Sequence, residues 1–401
     1  MKNSLILLTL LLPTWLFAQS TSNTSDQLVE QAWEAVNRNY LDRSFSGNDW
    51  EKVLKEFKAR KYSDATEAHQ SITEMLGRLN SPTTRLMTKD QFGAFLSEVS
   101  GQEHIGTGLL ELLCADIGEN ARKLQIVTTL PGTPARLVGL LPGDEILAID
   151  NVSTRGVGLT EAMARLRGAE GTKVNLLIGR GGRTQKLSLP RRLIPAVSRS
   201  VTAEVRQFRG KKFGYIRLDI FIENSVAQMR QALTYMKQTD IAGLILDLRN
   251  NPGGAMQVCL QIASMFDGAK PFGKIKSRDA VTPLETKGEK ITDLPTVVLV
   301  NKGTASAAEL LAGFLQFHNR ATVIGEKTFG KGLVHNAISL ADGSVILIAS
   351  GSFQSLKGID ILGNGITPDV FIKSSAQDEQ YLSGARILLR AGKASAASRR
   401  V

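Results

Sequence analysis

From residue 198 onward the chain alternates continuous apolar runs with segments of helical period, and this alternation constrains its fold most. Residues 243–248 and 296–300 are apolar apart from Asp247 and Thr296, as strands buried on both faces tend to be. Helical periodicity marks 225–237, 255–266 and 305–317, while 213–220 and 321–324 read as further strands. Strands separated by helices predict a covered, largely parallel sheet. Residues 333–340, the turn Asp342-Gly343 and residues 345–349 read as a hairpin added to that α/β layer.

Two other textures precede it. Between 26 and 100 the pattern is helical: Leu28, Ala32, Ala35 and Val36 share a face, as do Val53, Leu54 and Phe57. A further helix is expected over 68–79, stopped by Asn80-Ser81-Pro82. Between 104 and 190 short strands and turns dominate. Ile105-Gly-Thr-Gly-Leu leads into a strand, 124–128 is strand-like, Pro142-Gly-Asp is a turn, 160–166 suits a helix, and 174–179 is a strand turning at Gly181-Gly182. So many elements in so short a span predict a compact, partly open barrel.

At the extreme N-terminus, Lys2 precedes an apolar stretch that ends at Leu16-Phe17-Ala18. This reads as a secretory signal, residues 1–18, because the apolar run is shorter than the roughly 20 residues a spanning helix needs. No integral membrane segment is expected after its removal. The 49 Lys and Arg against 38 Asp and Glu give a formal charge of +11, but the charges are dispersed. A nucleic-acid reader concentrates its basic residues, so that class is disfavoured. Cys114 and Cys259 lie far apart in apolar stretches and match no zinc or CxxC spacing. HExxH is absent, His69, His104 and His318 have no carboxylate at a recognisable spacing, and neither metal nor cofactor is expected.

In open α/β sheets, reacting groups gather where strands end and helices begin. Two such turns are Asn250-Asn251-Pro252-Gly253-Gly254 and Asn301-Lys302-Gly303-Thr304-Ala305-Ser306. Gly253 and Gly254 remove side chains and leave N–H groups that can face an oxyanion, although a glycine turn needing positive φ reads the same way. Ser306 opens a helix among small residues, but Ser306-x-x-Glu309 also fits a capping box that would occupy its hydroxyl. Gly325-Glu-Lys-Thr-Phe-Gly-Lys-Gly332 nearly spells a phosphate-binding loop. It fails because Gly332 stands where Ser or Thr would hold magnesium, and a strand rather than a helix follows. Lys331, flanked by Gly330 and Gly332, instead suits a confined site where desolvation favours a free amine.

Asn301-Lys-Gly-Thr-Ala-Ser-Ala-Ala-Glu-Leu-Leu-Ala-Gly, with Lys331 following Ser306 by 25 positions, resembles the carboxyl-terminal processing (tail-specific) serine proteases. Leu246-Asp-Leu-Arg-Asn-Asn-Pro-Gly-Gly, Asn80-Ser-Pro-Thr-Thr-Arg85 and Gly365-Ile-Thr-Pro-Asp-Val extend the likeness over nearly the whole mature chain. It is most similar to the cyanobacterial and chloroplast branch, whose members trim a photosystem II reaction-centre precursor in the thylakoid lumen. The resemblance implies a multidomain α+β chain: a helical N-terminal region (19–100), a PDZ-like β-barrel (101–192), an α/β protease core with a mixed sheet (193–375), and a C-terminal helix and tail (376–401). It makes Ser306 the nucleophile, Lys331 the general base, and Gly254 and Ala307 the oxyanion donors, with Gly253 an alternative to Gly254. Gly106, Thr107, Gly108 and Arg167 are the implied PDZ residues for substrate tails, and the implied compartment is the periplasm or thylakoid lumen.

The chain departs from the family pattern at two places. His335 stands where a glutamine usually orients the lysine, and 350–362 lacks the usual Tyr-x-Thr-Pro and Gly-Arg-Ser pattern. In a strand, 331 and 335 face the same side, so His335 can hydrogen-bond Lys331, and its protonation predicts acid-sensitive activity. A base role for His335 in a His-based triad is a further alternative. Two functions stay open: a Ser-Lys endopeptidase acting on exposed C-terminal tails, and an inactive PDZ-bearing relative that binds such tails.

Overall fold

The structure is a computed structural model describing residues 25–81, 83–116, 122–130, 132–373 and 377–398. The expected signal lies outside these residues. The N-terminal region comprises α1 (Ser25–Asn39), α2 (Trp50–Lys58), α3 (Ala65–Gly77), β1 (Arg85–Met87) and α4 (Lys89–Val99). Asp49 and Asp64 cap α2 and α3, accepting from Lys52 N and Glu67 N, and a Thr88/Gln91 capping box starts α4. Trp33 and Trp50 each donate an indole N–H to the other's carbonyl, fixing α1 against α2.

A two-stranded ribbon of β2 (His104–Gly106) and β9 (Arg192–Ile194) brackets the middle unit. That unit contains β3 (Leu109–Asp116), β4 (Arg122–Thr129), α5 (Pro134–Leu137), β5 (Glu145–Ile149), β6 (Val152–Ser153), α6 (Leu159–Leu166), β7 (Lys173–Arg180) and β8 (Arg183–Pro190). Its sheet runs β3-β4-β5-β7-β8 with β6 on β5, which leaves β3 as an edge strand. Leu124, Ile126, Ile146, Ile149, Val174, Leu176 and Ile178 form its core with Ala162 and Leu166 of α6.

The remaining elements are β10 (Val201–Phe208), β11 (Lys211–Leu218), α7 (Glu223–Gln238), β12 (Leu244–Asp247), α8 (Met256–Asp267), β13 (Pro271–Ser277), β14 (Val281–Glu285), β15 (Thr296–Val300), α9 (Ala307–Phe317), β16 (Ala321–Gly325), β17 (Leu333–Ser339), β18 (Val345–Gln354), β19 (Val370–Phe371) and α10 (Gln377–Ser398). A mixed sheet runs β10-β11-β12-β15-β16-β19, antiparallel at β10 and parallel elsewhere. Alternate residues of its strands serve two cores. Leu244, Leu246, Val298 and Val300 pack with α7, α8 and α9, whereas Ile245, Val297 and Leu299 meet Tyr381, Ala385 and Leu388 of α10. Burial on both faces explains the nearly continuous apolar runs.

One expectation is corrected. The β17–β18 hairpin does not extend the α/β layer; it joins β1, β13 and β14 in a separate five-stranded sheet. The edge of β16 is already taken by β19, so no edge remains there for the hairpin. Ile346 and Ile348 of β18 pack instead against the N-terminal helices, and Val345 and Leu347 against Val99 of α4.

Candidate active site

The site begins with register. In the parallel pair β12–β15, Asp247 lies opposite Leu299, so the turns following these strands emerge side by side. Reciprocal asparagines tie them together: Asn250 N donates to Asn301 Oδ1 (2.9 Å), and Asn301 Nδ2 donates to Asn250 Oδ1 (2.9 Å). The Ala305 amide also donates to Asn251 O at 2.9 Å.

Ser306 caps α9 with φ 52° and ψ −125°, a strained conformation for a residue bearing a Cβ, and is 6% exposed. Half of the expected capping box is present. Ser306 N donates to Glu309 Oε2 at 2.8 Å, but the Ser306 hydroxyl makes no capping hydrogen bond.

Glu309 is 0% exposed and accepts four hydrogen bonds. Its Oε1 receives the Thr328 hydroxyl (2.5 Å) and Gly330 N (2.6 Å), while Oε2 receives Lys331 N (2.8 Å) and Ser306 N (2.8 Å). Ser306 and Lys331, distant in sequence, thus have their backbone nitrogens on one oxygen, at most twice that length apart. Burial pushes the Glu309 carboxyl up, while the four bonds pull it back. Three of its partners are amides that can only donate, so three of its lone pairs must accept, while the Thr328 hydroxyl can donate or accept.

The glycines flanking Lys331 have a packing reason. A Cβ at Gly332 would lie 2.3 Å from Leu362 N, and one at Gly330 would lie 3.1 Å from Gly363 C. The loop is therefore shaped by the 361–363 segment crossing it, and β17 follows rather than a helix, unlike a phosphate-binding loop.

Gly253 (φ 98°) and Gly254 (φ 141°) lie against the serine. A Cβ on Gly253 would stand 2.8 Å from both Ala307 N and Ser306 Cβ, and one on Gly254 would stand 2.1 Å from Phe221 O. The three candidate oxyanion amides differ. Gly253 N donates to Asn251 Oδ1 (2.8 Å), so the alternative donor is already engaged. Among the described residues, the Gly254 and Ala307 amides meet no protein acceptor.

His335 is 9% exposed, and its Nε2 has no hydrogen-bond partner among the described residues. Burial, Lys331 and Arg85 together lower its pKa to about 3. The ring is therefore neutral across the pH range in which acid sensitivity was expected from it, and that expectation is corrected. The strand argument changes too: β17 starts at Leu333, beyond Lys331, and its pairing with β18 slips between Val334 and His335.

Gly106, Thr107 and Gly108 form the turn from β2 into the edge strand β3. Thr107 O accepts from Ala135 N (2.8 Å) and Gly108 O from Leu130 N (3.0 Å), which docks the turn on α5. Gly108 has φ 77°, and a Cβ there would lie 2.1 Å from Thr133 Oγ1. Arg167 follows α6 and points elsewhere, pairing with Glu98 of α4 at 3.2 Å. Glu98 is largely buried, which raises its carboxyl pKa against the pull of Arg167, His104 and Arg85.

Sequence reasoning missed the supports of the glycine turn. Asp247, fully buried at the end of β12, accepts from the Tyr215 hydroxyl (2.5 Å) and from Arg249 Nε (2.8 Å) and Nη2 (2.5 Å). Arg249 Nη1 reaches Gln380 of α10 (3.0 Å), and Arg217 Nη2 donates to Arg249 O (3.2 Å). The available signal was a pair of charges, Asp247 and Arg249, interleaved with leucines in an otherwise apolar strand. Among the described residues no group of three or more His, Cys, Asp or Glu is placed to hold a metal ion, and no helix is long and apolar enough to cross a membrane.

This arrangement, a mixed sheet presenting a strained serine beside a lysine loop with an inserted edge-open β-domain, is that of a known class. Residues 212–372 match the model of Peptidase family S41, and residues 125–180 match that of a PDZ domain. The chain belongs to the carboxyl-terminal-processing proteases, a family of serine peptidases. It is 38% identical to the carboxyl-terminal-processing protease of Synechocystis sp. over 90% of this chain and 86% of that protein. The chloroplastic C-terminal processing peptidase of Tetradesmus obliquus is 31% identical over 86% of this chain and 77% of its own length. Among solved structures, a photosystem II D1 C-terminal processing protease superposes with a TM-score of 0.79 at 30% identity, covering 88% of this chain and 94% of that one.

Proposed function

We propose that this protein is an exported endopeptidase with a Ser306–Lys331 dyad that cuts near the C-termini of protein substrates whose exposed tails its PDZ domain engages. The observation that carries this reading is Glu309 Oε2, which holds Ser306 N and Lys331 N at 2.8 Å each. Two uncommitted amides beside Ser306 support the assignment of Gly254 and Ala307 as the oxyanion donors.

Ser306 Oγ forms a bond to the scissile carbonyl carbon as its proton passes to the Lys331 amine, a step that draws on the unprotonated form of that lysine. The carbonyl oxygen takes the negative charge and is met by the N–H groups of Gly254 and Ala307. Collapse breaks the C–N bond, and Lys331 returns the proton to the leaving amine. Water then attacks the acyl-enzyme, with Lys331 taking its proton, and Ser306 is released. Neutral His335, with one ring nitrogen able to accept, orients the Lys331 amine in place of the usual glutamine. The tail adds to the free edge of β3, its carboxylate facing the Gly106-Thr107-Gly108 turn. The Arg167–Glu98 pair relates this groove to α4 and so to β18. The compartment is the periplasm or the thylakoid lumen, and likeness to a photosystem II D1 C-terminal processing protease supports a protein C-terminus as substrate.

The test incubates the purified mature protein with an unstructured, apolar-tailed substrate, beside Ser306→Ala and Lys331→Ala. Cleavage by the parent and its loss in both variants is expected. Cleavage surviving in Ser306→Ala defeats the mechanism, and no cleavage by the parent at any pH favours a tail-binding protein without activity.

A further inference from the structure

One hydrogen bond crosses from the PDZ domain into the turn that carries Gly254. Thr128, in β4 and 0% exposed, donates its hydroxyl to Asn250 O at 2.9 Å. Asn250 holds φ 60°, a left-handed conformation that leaves it little freedom to follow a displaced partner without disturbing its neighbours. Its amide and side chain are both bound to Asn301, whose Oδ1 also accepts from Gly303 N at 3.0 Å. The turn bearing Gly254 and the turn leading to Ser306 therefore move as a pair, and Thr128 grips that pair from the PDZ side.

The same residue adjoins the tail groove. Across the β3–β4 ladder Thr128 lies opposite Glu111, and the register shifts on both sides of Glu111. An irregular, half-paired edge strand is the part of a sheet most altered when another chain adds to it. The surrounding boundary holds less firmly. Arg136 of α5 keeps a buried Nη1 without a partner and faces both Arg217 and Asp219, and Pro142 rests where a Cβ on Gly303 would come within 2.6 Å. An unsatisfied buried guanidinium nitrogen costs the boundary that contains it stability.

We propose that Thr128 is a positioning residue: a substrate tail pairing with β3 shifts the Glu111–Thr128 step, and the Thr128 hydroxyl passes that shift to Asn250 and the oxyanion turn. This rests on reading the strand-end turns as the Ser306 site, but the link itself is physical and is tested independently of cleavage.

The experiment compares the full mature protein with Thr128→Val, which keeps the shape and removes the hydroxyl, and Thr128→Ser, which keeps the hydroxyl. Thr128→Ala is a second hydroxyl deletion should valine disturb folding. The probe is a short synthetic peptide with a free apolar C-terminus, added in trans. In the first arm, amide hydrogen exchange is followed over residues 250–255. The peptide is expected to change exchange there in the parent and Thr128→Ser, and not in the hydroxyl deletions, whose unliganded exchange is faster by roughly five- to tenfold, the worth of one hydrogen bond. In the second arm, cleavage of a short tail-less substrate is measured with and without the probe. A change in kcat in the parent and Thr128→Ser, absent in Thr128→Val at unchanged probe affinity, is expected. Equal exchange and equal response in parent and Thr128→Val would overturn the proposal, as would a parent whose 250–255 exchange ignores the probe. A parent that cleaves nothing but retains the exchange response overturns the protease reading and leaves the Thr128 link standing.

Discussion

At the level of single residues, Glu309 and His335 give the proposed dyad its sharpest tests. Glu309→Gln keeps the volume but replaces one acceptor oxygen with an amide that faces N–H donors. At least one buried donor then loses its partner, at a cost of about 1–3 kcal/mol, and the Ser306 and Lys331 backbones lose their common tie. The expected outcome is a lowered Tm with a fall of more than tenfold in kcat/KM; a variant with parental kcat/KM contradicts the role. His335 makes a prediction about pH. Its folded pKa of about 3 lies below the ordinary 6.5, so the unfolded chain binds its proton first as pH falls. Stability is thus unaffected above about pH 7 and is lost progressively between pH 6.5 and 3, by up to about 1.4 kcal/mol per pH unit. In thermal melts His335→Gln should flatten this acid slope. Its kcat profile between pH 5.5 and 8 should follow the parent's, because the ring does not titrate there.

Among the elements, the turn between β12 and α8 is the most sensitive. Gly253→Ala drives a methyl to 2.8 Å from Ser306 Cβ and Ala307 N, at a backbone φ of 98°. Activity is expected to fall at least a hundredfold, in line with a displaced oxyanion donor, while circular dichroism remains that of a folded protein. Gly254→Ala meets backbone, Phe221 O at 2.1 Å, and is expected to lower Tm as well. How much of this was legible varies by element. Residues 296–300 were read as the strand that the structure shows, because a strand buried on both faces can only be apolar. The helix expected at 305 begins at Ala307, since Ser306 is its strained cap, and chain periodicity carries no information on a single φ. β13 and β14 escaped notice because the alternating stretch around Ile275 is short, Pro283 interrupts β14, and most of that hairpin is exposed.

For the molecule as a whole, the N-terminal region joins the protease core through the β1–β18 ladder and meets the PDZ domain through an ion pair. Arg167 of the PDZ domain pairs with Glu98 of α4, and α4 packs on the sheet containing β17, whose start lies just beyond Lys331. Arg167→Ala leaves Glu98 largely buried without its ion-pair partner. It is expected to reduce cleavage of a tailed protein substrate several-fold while leaving a short tail-less peptide within twofold; equal losses on both substrates would mean that the pair serves stability alone.

The amino-acid sequence alone determined the sheet, through runs whose burial demanded almost wholly apolar strands, and its likeness to a known family nominated the residues to which the chemistry is assigned. The tertiary structure decided which of those groups meet. Contact between Ser306 and the Lys331 loop depends on a buried carboxylate accepting from both, and the commitment of Gly253 N to Asn251 depends on the closed turn. Likewise, the suppressed charge of His335 comes from neighbours brought by other elements, Arg85 among them. Such distances and desolvation are properties of the packed chain, and no local pattern along it encodes them.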